Sequence, residues 1–458
     1  MRLTKTLGLA VLALLAAAPA PAAATDLPAY TRTTLKNGLT VFIMPTQRLP
    51  LVDFRLVARA GSVNDPSGKE GLASLTAALL TQGAGARNAQ QVAEDIAFVG
   101  GELDASAGSE QIVVTCEVLK KDFATGLEMF RDVIVQPTFP AEEFERKKSE
   151  HVGAIAANKD DPGTVANDQL LPFMMSGSPL GHPSIGWEAS VTGLTRDDAV
   201  AFHREFMAPD NAMLAVVGDV DPKATLKAIE QAFKDWKKSG RKQGQTYPPI
   251  EKANGRKIAV VDKPEVTQTQ IRFACVGVPR NHPDYYPIAV TNTILGAGFT
   301  SRLVDEIRVN KGLTYSISSQ FAMYRNAGLF RINTFTRNET IRETVDEVLR
   351  VVEGLRSEGP SPEELDKSKA YLTGLYPLGL QAPDNLAARL LDVEFYGLPA
   401  DYIETYSDRI REVTMEDARR VLKSYFCTKD LNILLVSNPE VARKALDGMG
   451  DIETVALR

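Results

Sequence analysis

The sequence has few of the residues that most often hold metal ions or cross-link a chain. It contains three cysteines and four histidines among 458 residues. The cysteines are far apart and form no C-x-x-C pair, so they predict neither a cysteine zinc site nor a disulfide framework. The two histidines closest in sequence, His182 and His203, are 21 residues apart. Side chains that share one helix face lie three or four residues apart, so no histidine pair can chelate a metal from a single helix.

The cysteines are expected to be mostly buried thiols. Cys116 and Cys275 lie in alternating apolar runs, where a free cysteine usually packs as a small hydrophobic residue. Cys427 is the third. An exported protein can oxidise a pair that its fold brings together, so the redox state of all three stays open.

The chain also lacks an excess of positive charge and a full membrane span. Its formal charge of −6 gives no electrostatic footprint for nucleic acid or anionic lipid. Residues 7–18 are almost wholly apolar but shorter than the roughly 20 residues that cross a bilayer. Arg2 and Lys5 precede this run and small residues follow it, which predicts a signal peptide over residues 1–24. The mature chain is expected to be periplasmic, and an uncleaved anchor helix is the alternative.

Most of the sequence pattern occurs twice. Each half has an alternating apolar run typical of a strand, an apolar-periodic helix, a second strand and an amphipathic helix. The predicted strands are 51–58, 112–118, 270–277 and 329–335, and the predicted helices are 72–80, 121–135, 288–295 and 339–355. Phe54 matches Phe273 at an offset of 219, and Pro140 matches Pro362 at 222, each proline opening a helix. The repeat predicts two homologous domains.

A stretch rich in Lys, Gly, Gln and Pro separates the two copies and predicts a solvated linker over 236–257. The N-terminal domain is then 25–235 and the C-terminal domain 258–458. Strands and helices do not alternate strictly as βαβ units. This pattern favours an α+β fold in which each domain packs an antiparallel sheet with long helices.

Several separated segments resemble, in the same order, segments of the pitrilysin/insulysin and mitochondrial-processing-peptidase family of zinc peptidases, the inverted zincins. The segments are 35–41, 61–64, 70–73, 100–105, 181–186, 202–206, 209–213, 216–220, 295–303 and 307–316. The resemblance covers nearly the whole mature chain. It implies that the two domains form half of a clamshell, which a second chain closes around a peptide-cutting cavity.

The same resemblance locates a zinc site whose ligands are missing. In the family, the helix after Gly-Leu-Ala carries His-x-x-Glu-His, and a later glutamate completes the zinc ligands. Here the three motif positions are Ser74, Ala77 and Ala78, and Ala154 stands where that glutamate is expected. The resemblance therefore implies a degenerate site in which this chain binds no metal, with zinc held by a partner subunit.

Two neighbouring features leave alternatives open. Glu150 and His151, one turn before Ala154, are either displaced ligands or part of a solvated helix face. Residues 103–106 correspond to an edge strand that takes the substrate by β-augmentation in active relatives. In this chain that strand has either a substrate role or a structural one.

A second group of family residues is present. Family members carry an arginine and a tyrosine seven residues apart, which hydrogen-bond the substrate backbone near the scissile carbonyl, and this sequence has Arg308 and Tyr315. Arginine offers a permanently charged fork of donors and tyrosine one directional donor. The resemblance implies that this pair positions substrate and stabilises oxyanion charge.

These observations predict a non-catalytic subunit of a heterodimeric periplasmic zinc metallopeptidase. It would supply Arg308 and Tyr315 in trans to a homologous zinc-bearing subunit and would have no activity alone. A peptide substrate would lie in the shared cavity, and neither nucleic acid nor membrane would be a partner. Two alternatives stay open: an inert scaffold of the same fold, and a peptide-binding protein that acts alone.

Overall fold

The structure is a computed structural model that describes residues 27–240, 247–248, 250 and 255–457. The predicted signal peptide and part of the predicted linker lie outside the described residues. Two sheets, each covered by helices, build the described chain. The predicted α+β class with two related halves is thereby confirmed.

The first half contains every strand and helix predicted for it, together with others. They are the strands β1 (Thr31–Thr34), β2 (Thr40–Pro45), β3 (Leu51–Ala58), β4 (Gly83–Ala84), β5 (Arg87–Asn88), β6 (Glu102–Ala107), β7 (Ile112–Leu119) and β8 (Ala212–Gly218), with the helices α1 (Leu72–Leu79), α2 (Ala89–Phe98), α3 (Phe123–Val135), α4 (Ala141–Asn158), α5 (Pro162–Met175), α6 (Glu188–Thr192), α7 (Arg196–Phe206) and α8 (Pro222–Phe233). Pro140 is the N-cap of α4 rather than its first residue.

The second half repeats this order from β9 onward. Its strands are β9 (Ile258–Asp262), β10 (Gln268–Val276), β11 (Ile317–Met323), β12 (Gly328–Arg337), β13 (Asn432–Ser437) and β14 (Ile452–Val455), and its helices are α9 (Tyr285–Asn292), α10 (Ile341–Glu358), α11 (Pro362–Leu375), α12 (Pro383–Tyr396), α13 (Tyr402–Glu412), α14 (Met415–Tyr425) and α15 (Pro439–Ala445). Two π-helical segments, Thr293–Ala297 and Val304–Asn310, follow α9. The predicted helix 288–295 therefore starts earlier than expected and changes its winding at Thr293.

The two main sheets share the same order over five strands, and their sixth strands differ, because β1 pairs antiparallel with β2 whereas β14 pairs parallel with β9. From edge to edge the first is β6-β7-β3-β8-β2-β1 and the second is β11-β12-β10-β13-β9-β14. In both, the first four strands pair antiparallel and the next pairing, β8 with β2 or β13 with β9, is parallel. The sheets are thus mixed rather than wholly antiparallel, because long connections let the paired strands run the same way.

Alternation along the strands decides which side of each sheet is covered. In β7 the side chains alternate strictly between buried and half-buried. The buried side packs with α3 and α1. Cys116 is on that side and is a buried free thiol, as the sequence predicted.

The two halves exchange one helix each. α5 belongs to the first half but packs on β10 and β13, and α12 belongs to the second half but packs on β3 and β8. Arg272 on β10 fixes α5 by donating to the Asn167 side chain at 2.8 Å and to the Gly163 carbonyl at 2.9 Å. Arg32 on β1 forms a forked ion pair with Glu394 on α12. Each half therefore completes the core of the other.

The expectation of a buried thiol at Cys275 is wrong, because Cys275 and Cys427 form a disulfide. The two residues are separated by 152 positions in sequence. Only the pairing of β10 with β13 brings the ends of these segments together.

No helix among the described residues is both long and apolar enough to cross a membrane.

Candidate functional site

Three of the positions predicted to be a degenerate zinc site, Ser74, Ala77 and Ala78, lie on α1, which contacts α4. α1 begins after Gly71, whose φ of 101° and close approach to the Ile185 carbonyl suit only glycine. Ser74 and Ala78, one turn apart, are half-buried, whereas Ala77 is fully buried. Ala154 is exposed on α4.

Of the two residues considered as displaced ligands, Glu150 and His151, the structure brings His151 into contact with Ser74. Its Nε2 lies 3.3 Å from the Ser74 hydroxyl, and its Nδ1 lies 3.2 Å from the Lys147 carbonyl. Burial lowers the pKa of His151, which favours the neutral ring near pH 7. A proton on Nδ1, donated to the carbonyl, leaves Nε2 as the acceptor for Ser74.

These residues do not fit a catalytic zinc ion. Such an ion needs three nitrogen, sulfur or carboxylate ligands, and His151 is the sole strong donor beside Ser74 and the two alanines. Glu150 instead pairs with Lys147 at 2.9 Å and with Arg146 on its own helix. Glu150 thus belongs to a solvated helix face. In the described part of the chain, no group of three or more His, Cys, Asp or Glu residues could hold a metal ion.

A half-buried carboxylate that sequence reasoning missed supports the start of α1. Asp65 accepts the backbone N–H groups of Gly71 at 2.7 Å and of Ala73 at 2.8 Å. Burial raises the pKa of Asp65 to about 7, although these hydrogen bonds oppose the rise. An Asp seven residues before the first residue of a helix is not a usual capping signal, so nothing in the local sequence indicates this role.

Arg308 and Tyr315 lie together on an exposed surface of the second half. The Arg308 guanidinium is 5.1 Å from the centre of the Tyr315 ring and 5.4 Å from that of the Phe299 ring. Tyr315 is 76% exposed and Phe299 74% exposed, although both are large and apolar. Stacking on two rings restricts the guanidinium without using its N–H donors.

The π-helical segment Val304–Asn310 ends between Arg308 and Tyr315, and several contacts fix the turn that follows it. Gly312 has a φ of +60°, the left-handed conformation that commonly follows the last residue of a helix. Lys311 pairs with Glu347 on α10 at 2.7 Å. The Thr314 hydroxyl donates to the Ser316 carbonyl at 2.9 Å, which fixes the turn that presents Tyr315.

The first sheet ends at an open edge. β6 contains the predicted edge residues 103–106 and pairs with β7 on one side only. The register places Asp53, Glu117 and Glu102 opposite one another across β3, β7 and β6. Asp53 is 3% exposed, and its Oδ1 has no hydrogen-bond partner among the described residues.

Known proteins share both halves of this architecture. The family model of the insulinase family, peptidase family M16, matches residues 44–186, and that of the peptidase M16 inactive domain matches residues 193–372. This chain belongs to peptidase family M16.

Relatives of the M16 chain match it over most of its length. A crystal structure of the peptidase M16 inactive domain from Pseudomonas fluorescens gives a TM-score of 0.82 at 27% identity and covers 89% of this chain and 98% of that one. A protease from Helicobacter pylori gives a TM-score of 0.83 at 20% identity, over 90% of this chain and 100% of its own, which shows the fold alone. An uncharacterized zinc protease from Streptomyces coelicolor is 26% identical over 400 residues, 86% of each chain.

The M16 chain therefore has the family fold. The predicted zinc positions lack ligand side chains, whereas the predicted arginine and tyrosine are both present. Ser74, a predicted degenerate zinc position on α1, is hydrogen-bonded to His151 on α4, and half-buried Arg308 lies beside exposed Tyr315. No hydrogen bond, ion pair or ring contact within the described ranges joins these two groups.

Proposed function

We propose that this chain is the non-catalytic subunit of a two-chain zinc metallopeptidase. In the proposal a homologous subunit holds the zinc and cuts the peptide bond. This chain contributes Arg308 and Tyr315 to the shared cavity, where they bind the substrate backbone and stabilise charge that develops on the scissile carbonyl oxygen.

The observation that carries the proposal is the free donor capacity of this pair. Among the described residues, neither the Arg308 guanidinium nor the Tyr315 hydroxyl has a hydrogen-bond or ion-pair partner. By contrast, Arg302, six residues earlier, is engaged in a forked ion pair with Glu364. A stacked guanidinium beside an exposed phenol can supply several preorganised donors to a carbonyl oxygen.

The residues at the degenerate zinc site support a division of roles. Ser74, Ala77, Ala78 and Ala154 offer no imidazole or carboxylate, so the hydrolytic metal of the proposal belongs to the partner. Because nothing on α1 competes for that ion, the chain can be exported and folded without metal.

Export to the periplasm is part of the proposal. The predicted signal peptide supports it, and so does the Cys275–Cys427 disulfide, since disulfides persist in oxidising compartments. The experiment is to express the tagged full-length chain in its native host and locate the processed form by fractionation and mass spectrometry. Cytoplasmic retention with the leader intact would overturn this part.

The decisive experiment reconstitutes the chain with a homologous exported subunit that carries His-x-x-Glu-His. The chain alone is expected to hold no stoichiometric zinc and to cleave no quenched fluorescent peptide, and the mixture is expected to cleave. Arg308→Ala or Tyr315→Phe should lower kcat about 10²–10³-fold, the usual effect of losing one oxyanion donor. Arg337→Ala, an exposed arginine elsewhere in the same half, is the matched control and should leave kcat unchanged.

Two results would replace the proposal. Full cleavage by the double variant Arg308→Ala/Tyr315→Phe within an active pair would leave the chain as an inert scaffold. Tight peptide binding by the isolated chain, with no complex formed by any homologous subunit, would favour a peptide-binding protein that acts alone.

A further inference from the structure

The second half contains an open cavity at the place where the first half has its degenerate zinc site. In the first half the site lies between α1, which follows β3, and the proline-initiated helix α4. The same two elements in the second half are α9 with its π-helical extension Thr293–Ala297, which follows β10, and the proline-initiated helix α11. The structure places these elements in contact, as it does α1 and α4.

Between the second pair of elements lies a cavity of about 440 Å³. Thr293 and Ile294 line it from the π-helical segment, Ser368 and Tyr371 line it from α11, and Phe299 lines it from the intervening turn. In the first half, side chains of the corresponding elements, Ser74 on α1 and His151 on α4, contact each other at 3.3 Å. The equivalent places in the two halves therefore carry different side-chain arrangements.

Hydrogen bonds within the protein hold the walls of this cavity. The Arg302 guanidinium forms two hydrogen bonds with the Glu364 carboxylate, at 2.6 and 2.8 Å, and so ties the turn that carries Phe299 to α11. The Glu364 carboxylate also accepts the Ser361 backbone N–H at 2.7 Å. This ion pair neutralises its own charges, and Asp305, Glu363 and Lys367 also line the cavity beside the two aromatic rings.

The mouth exposes apolar surface that the fold does not use. Among the described residues, six of the eight exposed large hydrophobic side chains lie between positions 299 and 378. Phe299 at 74% and Tyr371 at 44% exposure are the two that line the cavity. Exposed apolar groups beside a concave site are typical of ligand sites rather than of plain surface.

Phe299 also connects the cavity to the arginine–tyrosine pair. The Arg308 guanidinium lies 5.4 Å from the centre of the Phe299 ring, and the same residue forms part of the cavity wall. A peptide whose backbone carbonyl is held by Arg308 would therefore carry a neighbouring side chain within reach of the cavity.

We propose that this cavity is a specificity subsite that receives one large apolar side chain of the bound peptide, of the size of Phe or Leu. The walls of Ile294, Phe299 and Tyr371 would contact that side chain, and the hydroxyls of Thr293 and Ser368 would line its base. The peptide is the substrate of the proposed function, so this inference rests on that proposal.

The test measures binding to the isolated full-length chain by fluorescence anisotropy. Two labelled decapeptides of equal length and charge are used, identical except for a central Phe or Ser. We expect the Phe peptide to bind roughly tenfold more tightly, as burial of one large apolar side chain would give. Equal affinity for the two peptides would overturn the proposal.

Variants locate the preference within the chain. Tyr371→Ala removes a wall and Ser368→Phe fills the cavity, and each should abolish the preference for Phe without weakening the Ser peptide. Leu378→Ala removes an exposed apolar side chain that does not line the cavity and should change nothing. Tyr371 is partly exposed, so its variant is expected to fold even if the buried Ser368 variant does not. A preference for Phe that survives in Tyr371→Ala would contradict the assignment.

The two proposals can fail separately. If the chain has no catalytic partner, the isolated chain still prefers the Phe peptide. If the chain works in a peptidase pair but the cavity is not a subsite, Arg308→Ala lowers cleavage of both peptides. In that case Tyr371→Ala leaves their ratio of kcat/KM unchanged.

Discussion

Nε2 of His151 lies 3.3 Å from the hydroxyl oxygen of Ser74, at the helix contact that carries the predicted degenerate zinc positions. The imidazole is oriented by its second nitrogen, which faces the Lys147 carbonyl at 3.2 Å. The degenerate site is thus a closed hydrogen-bonded contact between α1 and α4. It retains one residue that could serve a metal if others were supplied.

Restoring two histidines should therefore create a zinc site. In the variant Ser74→His/Ala78→His the new imidazoles lie one helical turn apart on the face that meets His151. We expect about one zinc ion per chain by elemental analysis after dialysis, against a trace amount in the unmodified protein. Adding His151→Ala to this variant should remove most of the bound zinc. Equal zinc content with and without His151 would show that it is not a ligand.

The disulfide should contribute strongly to stability. Cys275 and Cys427 close a loop of 152 positions, and removing such a cross-link typically costs about 3–5 kcal/mol. Urea unfolding of Cys427→Ser is expected to show this loss in the free energy of unfolding. Dithiothreitol should reproduce it in the unmodified protein and have no further effect on the variant. Equal sensitivity of both proteins to the reductant would contradict this.

Asp53 should make the chain less stable as pH rises towards neutrality. Burial raises its pKa to about 7 from 3.8, with the nearby carboxylates of Asp384 and Glu117 adding to the rise and Arg55 opposing it. The folded state holds this proton more tightly, so the contribution is complete below pH 4 and is lost as pH approaches 7. The loss corresponds to roughly 4 kcal/mol for a pKa difference of about 3.

Urea unfolding between pH 4 and pH 8 checks this linkage. In Asp53→Asn the side chain cannot titrate, so its free energy of unfolding should fall less over that range than that of the unmodified protein. The two curves should converge at low pH and separate near neutrality. Parallel curves across the whole range would show that Asp53 titrates normally.

Arg308 and Tyr315 should be dispensable for folding. Tyr315 is 76% exposed, and surface changes away from buried networks usually alter stability by less than about 0.5 kcal/mol. Arg308→Ala and Tyr315→Phe are therefore expected to unfold at the same urea concentration as the unmodified chain. Arg302→Ala breaks the forked pair with Glu364 and should lower stability by roughly 1–3 kcal/mol. A comparable loss in Arg308→Ala would assign that residue a structural role.

Local pattern alone accounted for much of the fold. The alternating run at 51–58 coincides with β3, and the periodic stretch at 72–80 ends one residue beyond α1. The offset between Phe54 and Phe273 places both on the matching central strands β3 and β10. These predictions succeeded because side-chain periodicity directly reports which face of an element is buried. The degenerate zinc positions and Arg308 were located by family resemblance rather than by pattern.

Contacts between residues that are distant in sequence could not be predicted from local pattern. Cys275 was expected to be a thiol because nothing near it in sequence suggests a partner 152 positions away. Asp65 and Phe299 carry no local signal for a role, since one caps α1 from seven residues before its first residue and the other stacks on Arg308 across a turn.

The sequence by itself determined the repeat and the main helices and strands, which are local properties of residue type and spacing. Only the tertiary structure decided that His151 meets Ser74, that Cys275 is bonded to Cys427, and that Phe299 both contacts Arg308 and lines an open cavity. Each of those depends on how helices and strands distant in sequence pack together, which no local period encodes.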